Sequence, residues 1–133
     1  MQTFLPYADF SRSVACLDRM RLGKQRVEAM QILRALRGET RGWVNHPATR
    51  MWRGYEAALQ NYLRFCIIEW RCRGYSNTIP FPPLTVHAPM PTWFGNPEFH
   101  ASHRSNLLRK NAEHYGRFGW TESPDLPYTW PVA

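Results

Sequence analysis

Apolar positions along this chain fall into three runs with helical spacing, set apart by segments rich in proline and glycine. In the first run Ala15, Leu22, Ala29, Ile32, Leu33 and Leu36 share one face of a 3.6-residue repeat. Residues 1–11 read as extended, with an N-cap at Ser11 or Ser13, and the helix continues to residue 37 and stops at Gly38. Arg12, Arg19, Arg26 and Arg37 gather on another side of it, suited to water. Gly23 costs a helix about 1 kcal/mol relative to Ala. Its presence predicts either close approach by a neighbour or ligand, or a break into two shorter helices.

After a turn-rich linker at 38–47, the second run is the clearest. Met51, Trp52, Tyr55, Leu59, Tyr62, Leu63, Cys66, Ile67 and Trp70 repeat at three and four, which predicts a helix over 48–73 ended by Gly74. So continuous an aromatic and aliphatic stripe reads as core, not as a surface for stacking bases. Residues 75–97 hold six prolines, at 80, 82, 83, 89, 91 and 97, and cannot form one regular element. Trp93 and Phe94 point instead to an ordered wrap packed on the helices. Asn96-Pro97-Glu98 then opens a third helix carrying Phe99, His103, Leu107, Leu108 and Tyr115 and ending near Gly116. The tail, with Trp120, Tyr128 and Trp130, is expected to lie back over the core. The pattern predicts one all-α domain over residues 1–133, with three main helices and long, ordered, Pro- and aromatic-rich connections.

Charge narrows the partners. The chain carries a formal +7, made of 17 basic against 10 acidic residues, and only Lys24 and Lys110 of the basic set are lysine. Arginine forks match phosphates and stack on rings, so this excess beside abundant aromatic residues favours a nucleic-acid partner. Cys16, Cys66 and Cys72 show no metal spacing, and Cys16 and Cys66 fall in apolar helical patterns as reduced thiols. The N-terminus lacks a signal-peptide pattern, and no apolar run approaches the length of a membrane span, so a soluble cytoplasmic protein is expected.

One stripe stands apart from the core face. Arg21, Lys24, Glu28 and Gln31 follow at three, four and three residues and share one side of the first helix. A carboxylate among cations suits acid/base chemistry on a polyanion, with cations on phosphates and the carboxylate handling protons. The simpler reading is a Lys24–Glu28 surface pair contributing roughly 0.2–0.5 kcal/mol. His100 and His103 are spaced as a possible ligand pair, but neither an HExxH motif nor a cysteine cluster completes a metal site, and none is expected. A phosphate-binding glycine loop and a nucleophile elbow are also missing. His46, in Asn45-His46-Pro47, either meets a phosphate at a helix start or caps that helix. Arg104, Arg109 and Lys110 form a solvated face or a DNA contact.

The run from Glu28 through Gly38-Glu-Thr-Arg-Gly-Trp-Val-Asn-His-Pro47 resembles the pyrimidine-dimer DNA glycosylase family of the phage endonuclease V type, whose bacterial members carry a G-x-T-x-G-Y-x-N-H-P turn at this distance from a glutamate. The likeness continues through Arg73-Gly74-Tyr75 and returns in His100-Ala-Ser-His-Arg104, Leu107, Lys110 and Tyr115. It implies a single all-α domain and a DNA repair enzyme that cleaves the N-glycosidic bond of a damaged pyrimidine in duplex DNA. In that family the N-terminal α-amine forms an imine at C1′, and a helix-borne glutamate assists β-elimination at the abasic site. Glu28 matches that glutamate. Gln2 is too large for efficient removal of the initiator methionine, so the amine is expected to be that of Met1. The family's arginine beside the glutamate is replaced by Val27, with Arg21 and Lys24 offering charge from the same face. The expected DNA contacts are Arg21, Lys24, Arg26, His46, Arg50, His100 and Arg104, in a monomer acting on double-stranded DNA without cofactor or metal. Lys24 as the nucleophile, a water-using glycosylase without lyase activity, and a non-catalytic nucleic-acid-binding module stand as alternatives.

Overall fold

Asp9, and not Ser11 or Ser13, starts the first helix: its carboxylate accepts the Arg12 N–H at 2.8 Å in the computed structural model, which describes residues 1–132. Among the described residues the chain forms six α-helices and a closing 3₁₀ turn, with no strand. The three longest are α2 (Arg19–Leu36), α4 (Glu56–Cys72) and α5 (Pro97–Lys110). Each is accompanied by a short helix: α1 (Phe10–Ala15), α3 (Pro47–Arg50) and α6 (Ala112–Tyr115). The three continuous helices expected from periodicity are therefore each divided.

The division between α1 and α2 has a tertiary cause. Asp18 adopts an extended conformation at the start of α2, and its carboxylate goes to Arg21 and to the hydroxyl of Tyr115, while its N–H donates to the same phenol oxygen at 3.0 Å. A partner 97 residues away thus holds the chain out of helix. Burial, together with the hydrogen bond to Asp18, holds the Tyr115 phenol above its ordinary pKa. Between α3 and α4 the chain turns through Gly54, whose φ of +89° is readily adopted only without a Cβ.

α2 packs along α4. Gly23 lies where they touch, and a Cβ there would sit 3.2 Å from the Trp70 ring, so it serves close approach and not a helix break. Leu22, Ala29, Ile32 and Leu33 meet Leu59, Tyr62, Leu63, Cys66 and Ile67 in one buried cluster, as the two stripes predicted. Burial pushes the Cys16 thiol up to about 12 and raises that of Cys66 as well, so both stay protonated. The proline-rich segment is an ordered wrap: Asn61 exchanges two hydrogen bonds with Thr85, Arg64 donates to Pro82 O, and buried Trp93 donates to Met51 O at 2.9 Å. The tail returns as expected, with Trp120 stacked on Tyr115 and donating to the Tyr7 hydroxyl.

The most consequential segment is not a helix. Residues 2–5 are buried yet belong to no sheet, so their backbone groups need side-chain partners. Three helices and a turn supply them. The Phe4 N–H donates to Gln25 Oε1 of α2 at 2.7 Å, and the Leu5 N–H donates to His103 Nδ1 of α5 at 2.8 Å. Leu5 O accepts from His100 Nδ1, while Trp52 donates to Thr3 Oγ1 at 2.9 Å. The Tyr62 hydroxyl of α4 lies within 2.9 Å of Phe4 O and 2.7 Å of Gln25 Oε1, donating to one at a time.

Candidate active site

This clamped segment delivers Met1 to the Glu28 stripe. A cavity of about 280 Å³ is lined by Met1, Gln2 and Phe4 from the segment, by Arg21, Lys24, Gln25 and Glu28 from α2, by Lys110 from α5 and by Tyr128 from the tail. Gln25 joins the two halves: its Nε2 donates to Gln2 O at 2.9 Å and to Glu28 Oε2 at 3.0 Å, while its Oε1 takes the Phe4 N–H. Lost rotamer freedom and desolvation of this buried amide are offset because both its ends are satisfied. A second, larger cavity of about 740 Å³ shares Lys24 and Glu28 and continues over Met20, Gly23, Val27 and Trp70. Glu28 therefore stands on the ridge between a polar chamber holding the N-terminus and a more apolar one beside Trp70.

The surface pair considered from the pattern does not form. Glu28 bonds to Gln25, and Arg21 pairs with Asp18 at 3.3 Å. One carboxylate then shares the chamber with Met1, Arg21, Lys24 and Lys110. The Lys110 ammonium is held below its ordinary pKa by burial first, then by Arg21, Arg109 and Lys24, against the opposing pull of Glu28. A less protonated amine is a better nucleophile.

The other expected DNA contacts separate. Arg26 does not line the chamber: its guanidinium lies 4.2 Å from the Trp70 ring centroid and donates to Asn77 Oδ1 at 2.6 Å. His46 takes the capping role, its Nδ1 accepting the Ala48 N–H at 3.0 Å. Burial, and then the charge of the N-terminal ammonium, lower its pKa. Arg50 ends α3, half-buried.

His100 and Arg104 lie away from the chamber and are engaged by groups of the chain itself. His100 is buried, donating from Nδ1 to Leu5 O and accepting the Gly95 N–H at Nε2, so no ring nitrogen is left for a phosphate. Arg104 grips Glu122 through two bonds of 2.9 and 3.0 Å and Pro6 O through a third, which holds the Glu122 carboxyl below its usual pKa. Both residues brace the N-terminal segment and tail. Among the described residues no three His, Cys, Asp or Glu side chains gather as a metal site, and no helix is long and apolar enough to cross a membrane.

Gln25 and Tyr128 escaped the sequence reading of the site, and Lys110 was not placed beside Glu28 by it. Gln25 carried a signal, because it lies three residues before Glu28 on the same helix. Lys110 read as part of a solvated face or a DNA contact, and nothing local marks Tyr128.

The family model described as pyrimidine dimer DNA glycosylase matches residues 1–82, more than half of the chain. The chain belongs to this family. No curated protein and no solved structure matches it. The matched residues carry Met1, Arg21, Lys24, Gln25 and Glu28, and the family membership makes DNA the substrate. Lys110 and Tyr128, which close the chamber, lie beyond the match.

Proposed function

We propose that this pyrimidine dimer DNA glycosylase family member is also an abasic-site lyase, with the α-amine of Met1 as nucleophile and Glu28 as the acid/base residue. The observation that carries the reading is the Gln25 amide, bonded at once to the backbone beside Met1 and to the Glu28 carboxylate at the wall of one chamber. The amine attacks C1′ of an extruded damaged nucleotide, a N–C1′ bond forms, and the N-glycosidic bond breaks as the base leaves. Opening of the sugar ring gives an imine. Glu28 moves protons at the sugar and removes one from C2′, so that the C3′–O bond breaks with the 3′ phosphate as leaving group. Water then hydrolyses the imine and frees the enzyme. Arg21 and Lys24 would hold flanking phosphates. The protein acts in this reading as a single-domain monomer in the cytoplasm, on duplex DNA.

Lys110 favours a second reading, because it is an amine in the same chamber with its proton affinity lowered. Borohydride trapping separates the two. Duplexes carrying an abasic site or ultraviolet lesions should give a covalent adduct with the native protein and none after N-terminal acetylation. An adduct that survives acetylation transfers the nucleophile to a lysine. Absence of any adduct, with base release intact, leaves a water-using glycosylase. Glu28→Gln should abolish strand cleavage and largely spare duplex affinity, and unchanged cleavage would remove Glu28 from the chemistry.

A further inference from the structure

Trp43 lies in the Gly-x-Thr-x-Gly-Trp turn and takes no part in the chemistry above, yet its conformation is costly in two ways. It has a left-handed backbone, with φ of +67°, and the residue is 48% exposed. Left-handed backbone is rare for a bulky residue and, where held, points to a functional constraint. The turn is held firmly: the His46 N–H donates to Trp43 O at 3.1 Å, and Arg53 donates to Val44 O at 3.2 Å. The Trp43 ring stands edge-on to His46, His46 to Trp130, and Trp130 leans on Tyr128, at centroid separations of 5.4, 5.8 and 5.5 Å. Tyr128 is a wall of the Met1–Glu28 chamber. A continuous line of rings thus leads from the chamber to a single exposed indole, beside exposed Arg41.

We infer that Trp43 is a stacking site for an unpaired nucleobase of the DNA strand entering the chamber. An indole face binds any base by π-stacking, and the neighbouring cations supply charge complementarity to its phosphates. Extruding a nucleotide breaks base stacking, and a rigidly presented ring at the far end of this line replaces one stacking partner. The inference rests on the DNA-processing reading of the chamber.

The test measures affinity for two duplexes, one fully paired and one containing a tetrahydrofuran abasic analogue opposite an adenine, which cannot form an imine. Wild-type protein should prefer the analogue duplex, and Trp43→Gly should cut that preference by about tenfold. Trp43→Phe should keep most of it. Glycine accepts the positive φ, so the variant should fold with an undiminished melting temperature. Preference unchanged in Trp43→Gly would overturn the stacking site, as would an equal loss in Trp43→Phe. Failure of the wild type to bind either duplex or cleave abasic DNA would instead strike the DNA reading itself, so the two failures are distinguishable.

Discussion

Acidification should destabilise the protein through His103. This side chain is fully buried among the rings of Phe4, Phe99 and Tyr128, and His100 acts on it through its charge. Its Nδ1 accepts the Leu5 N–H, so the ring is neutral and carries its proton on Nε2, which has no partner among the described residues. Burial first, and then the charge of His100, lower its pKa to about 3. An unfolded chain protonates histidine around 6.5. Between those two values the unfolded state binds a proton that the folded state refuses. The stabilising contribution is therefore complete above about pH 6.5 and is lost progressively as the pH falls toward 3. Integrated from neutral pH to pH 5, the loss is about 2 kcal/mol. His100 and His46, also shifted down, act in the same direction. Urea midpoints at pH 7 and pH 5 should therefore differ strongly in the wild type. His103→Gln will cost stability at both pH values, but its pH 7-to-5 difference should shrink by about 2 kcal/mol relative to wild type. Equal differences in the two proteins would refute the argument.

Gln25→Leu strands the Phe4 N–H and releases both Gln2 O and Glu28, so stability should fall by roughly 3 kcal/mol and strand cleavage roughly a hundredfold. Thermal melting and single-turnover nicking check this, and wild-type nicking by the variant would sink the positioning role. Lys24→Ala should reduce the slope of log affinity against log salt by about 1, the signature of one phosphate contact, while Arg104→Ala should leave the slope alone and lower the melting temperature. Duplex titrations at several salt concentrations separate the two, and a changed slope in Arg104→Ala would contradict its place against Glu122 and Pro6.

Much of the fold is legible in residue spacing. Helical periodicity is local, so the α2 and α4 stripes, the Asn96-Pro97 start of α5 and the side of α2 shared by Arg21, Lys24 and Glu28 all follow from it. Gly23 announced an unusual contact without naming it. The interruption at residues 16–18 could not be read, because its cause is Tyr115, and His100 and Arg104 looked like ligands for phosphate because polar side chains on a helix are ambiguous until their partners are known.

The long helices, the positive charge and a carboxylate set among cations are written in the chain itself, since each follows from composition or from residues within two turns of one another. Where the N-terminus lies is a matter of tertiary packing. Residues 2–5 have no periodic signal, and they are held because Gln25, Trp52, Tyr62, His100 and His103 converge from distant parts of the chain on groups that must be satisfied once buried. That convergence puts Met1, Glu28 and Lys110 around one chamber, and only folding can make neighbours of groups so far apart in the chain.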